Sequence, residues 1–334
     1  MPELKREALY YSRISGKTLR CELCPHHCVL TDSEMGLCRS RINLSGKMYA
    51  ANYARAAALA LDPIEKKPLY HFYPGSRILS LGPNSCNLQC KFCQNYHISQ
   101  FEAPTQEISI EGLRTAIDDH TPGSPRIAFT YTEPLTWYEY ILDFGERFPE
   151  VEIVLITNGY LNEVPFQKLL PVVSALNIDL KGMRDGFYRD YCGGDLHPVL
   201  TNIEACVDHG KHLELTLLLI PGLNDAQADI LAMADFISAL NPDIPLHISA
   251  YHPSYQMTNH ATGIDDVKRA IDLCKTKLNY VYGGNLGIED YMHTQCKVCG
   301  KGIISRSYSS ISSQINTAGR CPYCDTAIYG VYEK

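Results

Sequence analysis

Between residue 77 and about residue 282, short runs of β-branched and aliphatic residues alternate with longer amphipathic stretches. The apolar runs are Arg77–Leu81, Arg126–Thr130, Val151–Thr157, Ala175–Leu180, His212–Ile220, Leu246–Tyr251 and Tyr280–Tyr282. Helical patterns fall between them, near 107–120, 135–148, 162–170, 198–209, 225–240 and 263–278. Runs apolar on both faces, each followed by a helix, predict a parallel α/β architecture. A doubly wound sheet and a barrel, open or closed, both fit. Polar, turn-forming residues follow the runs: Gly82-Pro83-Asn84-Ser85-Cys86, Tyr131-Thr132-Glu133-Pro134, Asn158-Gly159, Lys181-Gly182, Pro221-Gly222-Leu223-Asn224-Asp225 and His252-Pro253. Such turns need Gly, Pro, Asn and Asp in any case, but parallel folds also hold their ligands at the carboxyl ends of strands. The first turn carries cysteines, which shifts the weight toward a site.

The flanks follow other rules. Residues 1–76 lack the alternation and contain a cysteine group, a helix-like patch at Tyr53–Leu61 and a link punctuated by Pro63, Pro68 and Pro74. Residues 293–334 read as short strands and turns around a further cysteine group. Three segments are therefore expected: a Cys-rich N-terminal segment (1–76), a core (77–283) and a small C-terminal module (284–334).

Composition is that of an ordinary globular chain: 334 residues, 45% hydrophobic and 20% charged. The net charge of −7 disfavours general binding to nucleic acid or to anionic membranes. Residues 1–50 carry eight Lys/Arg against five Asp/Glu, and residues 293–334 five against two, an excess of +3 in each. Four thiolates around one Zn²⁺ carry −2 and would nearly cancel either excess. No apolar window is long enough to span a membrane, and Met1-Pro2-Glu3-Leu4-Lys5-Arg6-Glu7 lacks the apolar run of a signal peptide. A cytoplasmic location is expected.

In a reducing compartment, 14 cysteines point to metal or redox chemistry rather than disulfides. Cys192, Cys206 and Cys274 are isolated and read as small buried hydrophobes. Cys86, Cys90 and Cys93 have the spacing C-x3-C-x2-C. Three thiolates so spaced can take three corners of a [4Fe–4S] cubane and leave one iron open to an outside ligand. Zinc would need a fourth ligand, for which His97 is near in sequence. Cys296-x2-Cys299 and Cys321-x2-Cys324 form two knuckles of a zinc-ribbon or rubredoxin-like S₄ site, for which Zn²⁺ is expected, with iron or a redox dithiol as the other chemistries. Cys21-x2-Cys24-x3-Cys28-x9-Cys38 could hold zinc or an auxiliary iron–sulfur cluster, with His26 and His27 as alternative ligands.

With Phe92 as the aromatic before its last cysteine, the Cys86–Cys93 loop resembles the defining motif of the radical S-adenosylmethionine (SAM) superfamily. The resemblance implies a partial (β/α) barrel of about six to seven parallel strands, a [4Fe–4S] cluster and SAM bound to its open iron. It also implies reductive cleavage to a 5′-deoxyadenosyl radical that abstracts hydrogen from substrate. Further strand ends resemble the pyruvate formate-lyase activating enzyme branch. Glu133, in Tyr131-Thr132-Glu133-Pro134 where the family has Gly-Gly-Glu-Pro, would hold the amino group of SAM. Asp179 and Lys181 would meet its ribose and carboxylate, with Thr157-Asn158 and His252 at neighbouring strand ends. Ile156 stands where that branch has Asp, so no monovalent-cation site is carried over. The Cys21–Cys38 segment, Phe129-Thr130-Tyr131 and the C-terminal ribbon resemble the AmmeMemoRadiSam-system radical enzymes, whose name records neighbours rather than a substrate. No side chain is singled out as catalytic. The implied partners are a substrate and an electron donor such as flavodoxin or ferredoxin. The readings weighed are an enzyme acting on a small molecule, with residues 1–76 as a lid, an activase making a glycyl radical on a partner protein, and a non-catalytic zinc module.

Overall fold

The computed structural model describes residues 6–287, 289–307, 310–316 and 318–332. Met1 to Lys5, which bear on the expectation of no leader, lie outside the described residues. Seven strands form the core: β1 (Arg77–Pro83), β2 (Arg126–Phe129), β3 (Glu152–Thr157), β4 (Ala175–Asp179), β5 (His212–Leu219), β6 (Leu246–Ala250) and β7 (Val281–Gly284). They pair in parallel and in chain order. Between them run α1 (Ile110–His120), α2 (Tyr138–Arg147), α3 (Glu163–Leu169), α4 (His197–Asp208), α5 (Gln227–Leu240) and α6 (Ile264–Lys275). Right-handed crossovers with sequential strand order put the helices on one side and curl the sheet inward. A doubly wound sheet would reverse its order at a switch point, and this one does not. Nor does it close: past β1 the sheet continues into Arg55–Pro63 and then Gln106–Glu107, both antiparallel. The result is the expected partial barrel.

The helix-like patch at Tyr53–Leu61 is corrected by the structure. Its alanines suit a helix by propensity, but the segment is the strand Arg55–Pro63 beside β1. Ladder hydrogen bonds along an otherwise open edge outweigh a few tenths of a kcal/mol per residue. The rest of the N-terminal segment builds a three-stranded sheet (Tyr11–Ser15, Thr18–Cys21, Val29–Leu30) and the hairpin Arg41–Leu44/Lys47–Ala50. Thr294–Gln295, Gly302–Arg306 and Ile311–Ser313 form a small antiparallel sheet near the C-terminus.

Each core strand contributes buried aliphatics such as Leu79, Ile127, Val154, Leu176, Leu215 and Ile248. Each such side chain stabilises the fold by about 1.5–3 kcal/mol. Register aligns the carboxyl ends into one rim, with Leu81 opposite Phe129, Thr157 opposite Ile178 and Asp179 opposite Thr216. At the other end lies Glu214, fully buried, accepting from the backbone amides of Tyr70 (2.9 Å) and His71 (2.7 Å) and from His212 (3.0 Å) and His247 (2.6 Å). The C-terminal segment docks on this floor: His71 Nδ1–H donates to the Tyr329 carbonyl (2.6 Å), and Arg306 Nη2 to the Tyr70 carbonyl (2.6 Å). One end of the barrel is sealed by its own tail, and the rim of strand ends is left for chemistry.

Candidate active site and metal centres

Gly82 opens the site. A Cβ there would stand 2.3 Å from the Thr130 carbonyl oxygen, so β1 can leave the rim this close to β2 only through glycine. The loop that follows carries Cys86, Cys90 and Cys93 and is held from several sides. Asn87 Nδ2 donates to the Tyr160 carbonyl (2.5 Å), while the amides of Gln89 and Lys91 donate to the carbonyls of Cys192 and Tyr191 (2.8 Å each). Phe92 is buried and stacks on Phe187 at 6.0 Å between centroids.

Polar donors converge on the sulfurs. The Leu88 amide lies 3.4 Å and Asn158 Nδ2 3.8 Å from Cys86 Sγ, and Ser99 Oγ is 3.2 Å from Cys93 Sγ. Burial, the Glu133 carboxylate and the neighbouring thiols push the Cys86 thiol well above its ordinary value. Such a sulfur ionises when a metal takes its proton's place. No three sulfurs here approach within 4.8 Å of one another, and His97 is exposed and joins no such set. One zinc ion needs sulfurs about 3.8 Å apart. Three cysteines spread on one loop, with donors aimed at them, fit a larger inorganic core.

Glu133 begins the short 3₁₀ turn Pro134–Trp137 and is 1% exposed rather than solvated. Its Oε1 accepts from the Leu135 amide (2.9 Å) and the Thr157 hydroxyl (2.6 Å), and its Oε2 from the Asn158 amide (2.7 Å). Burial pushes its carboxyl up to about 7 against the pull of those three bonds. A carboxylate offers about four acceptor positions, so one on Oε2 remains for a ligand. Thr157 and Asn158 are thus brought to the loop through Glu133.

Asp179 and Lys181 pair at 2.9 Å at the end of β4. Burial works against the Lys181 charge, but Asp179 and the thiols of Cys90 and Cys192 outweigh it and hold the ammonium well above its usual value. His252 is exposed beyond β6, on the segment whose Ser254 hydroxyl donates to the Cys93 carbonyl (3.2 Å).

Several contributors were not singled out from the sequence. Cys192 is buried as expected of an isolated cysteine, yet it lies beside Cys90 and Lys181. Tyr131, in place of the family's first glycine, adopts φ +68°, at a cost of about 1–2 kcal/mol for a side chain. Its hydroxyl donates to Asp62 Oδ2 (2.6 Å), and Lys67 Nζ sits 4.7 Å from its ring centroid. The Tyr-Thr departure from Gly-Gly was the one available signal.

In the C-terminal module, Cys296, Cys299, Cys321 and Cys324 bring their sulfurs within 4.8 Å of one another, with Cys296–Cys324 at 3.5 Å and Cys299–Cys321 at 3.8 Å. Hydrogen bonds from the Thr326 hydroxyl and amide pull the Cys324 thiol down to about 6. This group could hold one metal ion. The N-terminal four, Cys21, Cys24, Cys28 and Cys38, line a separate cavity.

Comparison with known proteins gives the same picture. The family model described as the radical SAM superfamily matches residues 82–237. An uncharacterized protein of Methanocaldococcus jannaschii is 38% identical over 97% of this chain and 98% of its own. The pyruvate formate-lyase-activating enzyme of Staphylococcus epidermidis is 20% identical over 54% of this chain and 76% of its own. Among solved structures, a domain of a pyruvate-formate lyase-activating enzyme from Bacteroides vulgatus aligns with a TM-score of 0.42 and 21% identity, over 48% of this chain and 98% of that one. Since the matched stretch opens on the cysteine loop and runs through the strand ends that surround it, the chain belongs to the radical SAM superfamily.

Proposed function

We propose that the protein is a radical SAM enzyme acting on an enclosed small molecule, with Cys86, Cys90 and Cys93 holding the [4Fe–4S] cluster. When bound, the cluster and SAM supply a 5′-deoxyadenosyl radical that removes a hydrogen atom from substrate. The chain's own residues bind and orient. Glu133 offers its one free acceptor position to the amino group of SAM, and Lys181 offers its charge to the carboxylate. Asp179 is half-exposed on the rim and faces the ribose. Thr157 fixes the Glu133 carboxylate, Asn158 bridges it to Cys86, and Phe92 anchors the loop. His252 stands at the rim, where an outside group can reach it.

Enclosure carries the choice of a small molecule, since a reactive intermediate must be kept from water and side reactions. The N-terminal segment lies against the loop as a lid would. Arg39 Nη2 donates to the Ser99 carbonyl (3.0 Å), and Asn52 Nδ2 to Ser85 Oγ (3.0 Å). The 251–257 segment closes another side, with the Gln256 amide donating to the Lys91 carbonyl (2.9 Å). An activase working on a partner protein is the second reading, favoured by the likeness to a pyruvate formate-lyase-activating enzyme. In the C-terminal module the close S₄ set supports a structural Zn²⁺.

The test is anaerobic reconstitution, reduction, and assay of SAM conversion to 5′-deoxyadenosine with deuterium-labelled candidate substrates. Wild type should be brown and cleave SAM; Cys90→Ala should stay folded and lose cleavage by about a hundredfold or more, beyond the roughly 10–100-fold cost of losing an outer-shell partner of a metal site. Undiminished cleavage by that variant, or zinc in the Cys86 loop, removes the reading.

A further inference from the structure

We propose that Cys21, Cys24, Cys28 and Cys38 hold a second [4Fe–4S] cluster, ligated wholly by protein, as an electron inlet to the Cys86 loop. All four cysteines line one solvent-open cavity together with Arg41. Both cysteine quartets of the chain have enough thiols for zinc, but only one has the spacing. Tetrahedral zinc sets its sulfurs about 3.8 Å apart, as the C-terminal pairs are at 3.5 and 3.8 Å. No three of the N-terminal sulfurs come within 4.8 Å of one another. A cubane needs them about 6 Å apart, because each binds a different iron. Four sulfurs that line one hollow and lie further apart than the C-terminal set suit a larger inorganic core better than a single ion.

Arg41 points to the same occupant independently. Its side chain is 1% exposed and its Nη1 pairs with Glu139 Oε2 at 2.8 Å, yet Nε and Nη2 have no hydrogen-bond partner among the described residues. Buried guanidinium donors left unpaired are costly. The sulfides and thiolates of a dianionic cluster would be acceptors, and the four cysteines that would hold it line the same pocket as Arg41.

The cavity also adjoins the loop described above. His26, between Cys24 and Cys28, donates from Nε2–H to the carbonyl of Asn87 at 2.6 Å, one residue beyond Cys86. Asn162, following β3, donates from its amide to the Leu23 carbonyl (3.1 Å) and from Nδ2 to the Glu22 carbonyl (2.7 Å). One hydrogen bond thus joins the two cysteine loops. In the proposed role, one electron enters from a low-potential one-electron protein donor and one leaves toward the Cys86 loop, with no bond made or broken. The relay rests on the reading of Cys86, Cys90 and Cys93 given above, whereas the cluster site does not.

Iron and sulfide content separates the two. Anaerobically reconstituted wild type should hold about eight of each per chain, and a Cys86→Ala/Cys90→Ala/Cys93→Ala variant about four of each, with the electron paramagnetic resonance signal of a reduced cubane. Adding Cys21→Ala and Cys24→Ala should remove the rest. Cys38→Ser alone, with circular dichroism to verify the fold, should change the signal of the triple variant. A triple variant that holds two zinc ions per chain, one more than the C-terminal module takes, or that retains no iron while folded, overturns the proposal. A triple variant that keeps four irons beside a wild type unable to cleave SAM supports the second cluster and rejects the proposed activity.

Discussion

Glu133 is buried with three protein donors on its carboxylate and still titrates near 7, so its charge state changes across the working pH range. Its folded pKa lies above the ordinary 4.5. The stability this group contributes is therefore complete below pH 4.5 and lost as pH rises through 7. A cationic ligand at the free acceptor position compensates the buried charge. Thermal stabilisation by SAM should accordingly be greater at pH 8 than at pH 6, and Glu133→Gln should flatten that difference. At pH 8 the variant should bind about tenfold more weakly, the worth of one charge-assisted hydrogen bond. Equal pH profiles for variant and wild type would take the amino group away from Glu133.

Spacing and residue type single out the cysteines, Glu133, and Asp179 with Lys181, and the structure sets these residues near one another. What could not be read are partners brought in by other parts of the chain. Cys192 stands 99 residues after Cys93, and Asp62 and Lys67, which secure Tyr131 in its left-handed conformation, belong to a segment before the barrel.

Among elements, the core strands follow their apolar runs closely because both faces are buried and no competing pattern exists. Arg55–Pro63 shows the opposite case, where local propensity lost to an open sheet edge. The knuckles of the C-terminal module have little apolar core of their own, so a metal bound there contributes folding free energy directly. If the proposed Zn²⁺ is bound there, Cys299→Ala should lower the melting temperature by about 4 °C or more, for a loss of roughly 2 kcal/mol, and should make the module release zinc to a mild chelator. An unchanged melting temperature with full zinc retention would contradict a structural metal.

Across the whole molecule, the tail and the barrel floor are coupled through buried titratable groups. Burial opposes the charge on Glu214, but hydrogen bonds from His212 and His247 outweigh it and hold its carboxyl well below the usual range. His71 is pushed down to about 4, chiefly by burial. Its Nδ1 donates to the Tyr329 carbonyl, so its unprotonated Nε2 accepts from the Tyr282 hydroxyl at 2.6 Å. Protonation would set donor against donor. The unfolded chain takes up this proton near pH 6.5 and the folded one near 4, so stability is full above 6.5 and falls between them, by about 3 kcal/mol for this one group. Denaturant midpoints should drop from pH 7 to pH 4.5, and hydrogen exchange should show residues 326–332 opening first. His71→Asn should reduce the slope, and a wild-type midpoint flat over that range would count against the coupling. Among the described residues no helix is long and apolar enough to cross a membrane.

The sequence alone determined the parallel α/β class, the strand order's raw material and the ligand spacing of the three-cysteine loop, because burial periodicity and ligand spacing are local properties of the chain. Only the tertiary structure decided that the sheet stays open beside Arg55–Pro63, that the floor is closed by the tail, and that the two cysteine quartets differ in span. Those depend on distances between segments far apart in the chain, and such distances are fixed by packing rather than by any local pattern.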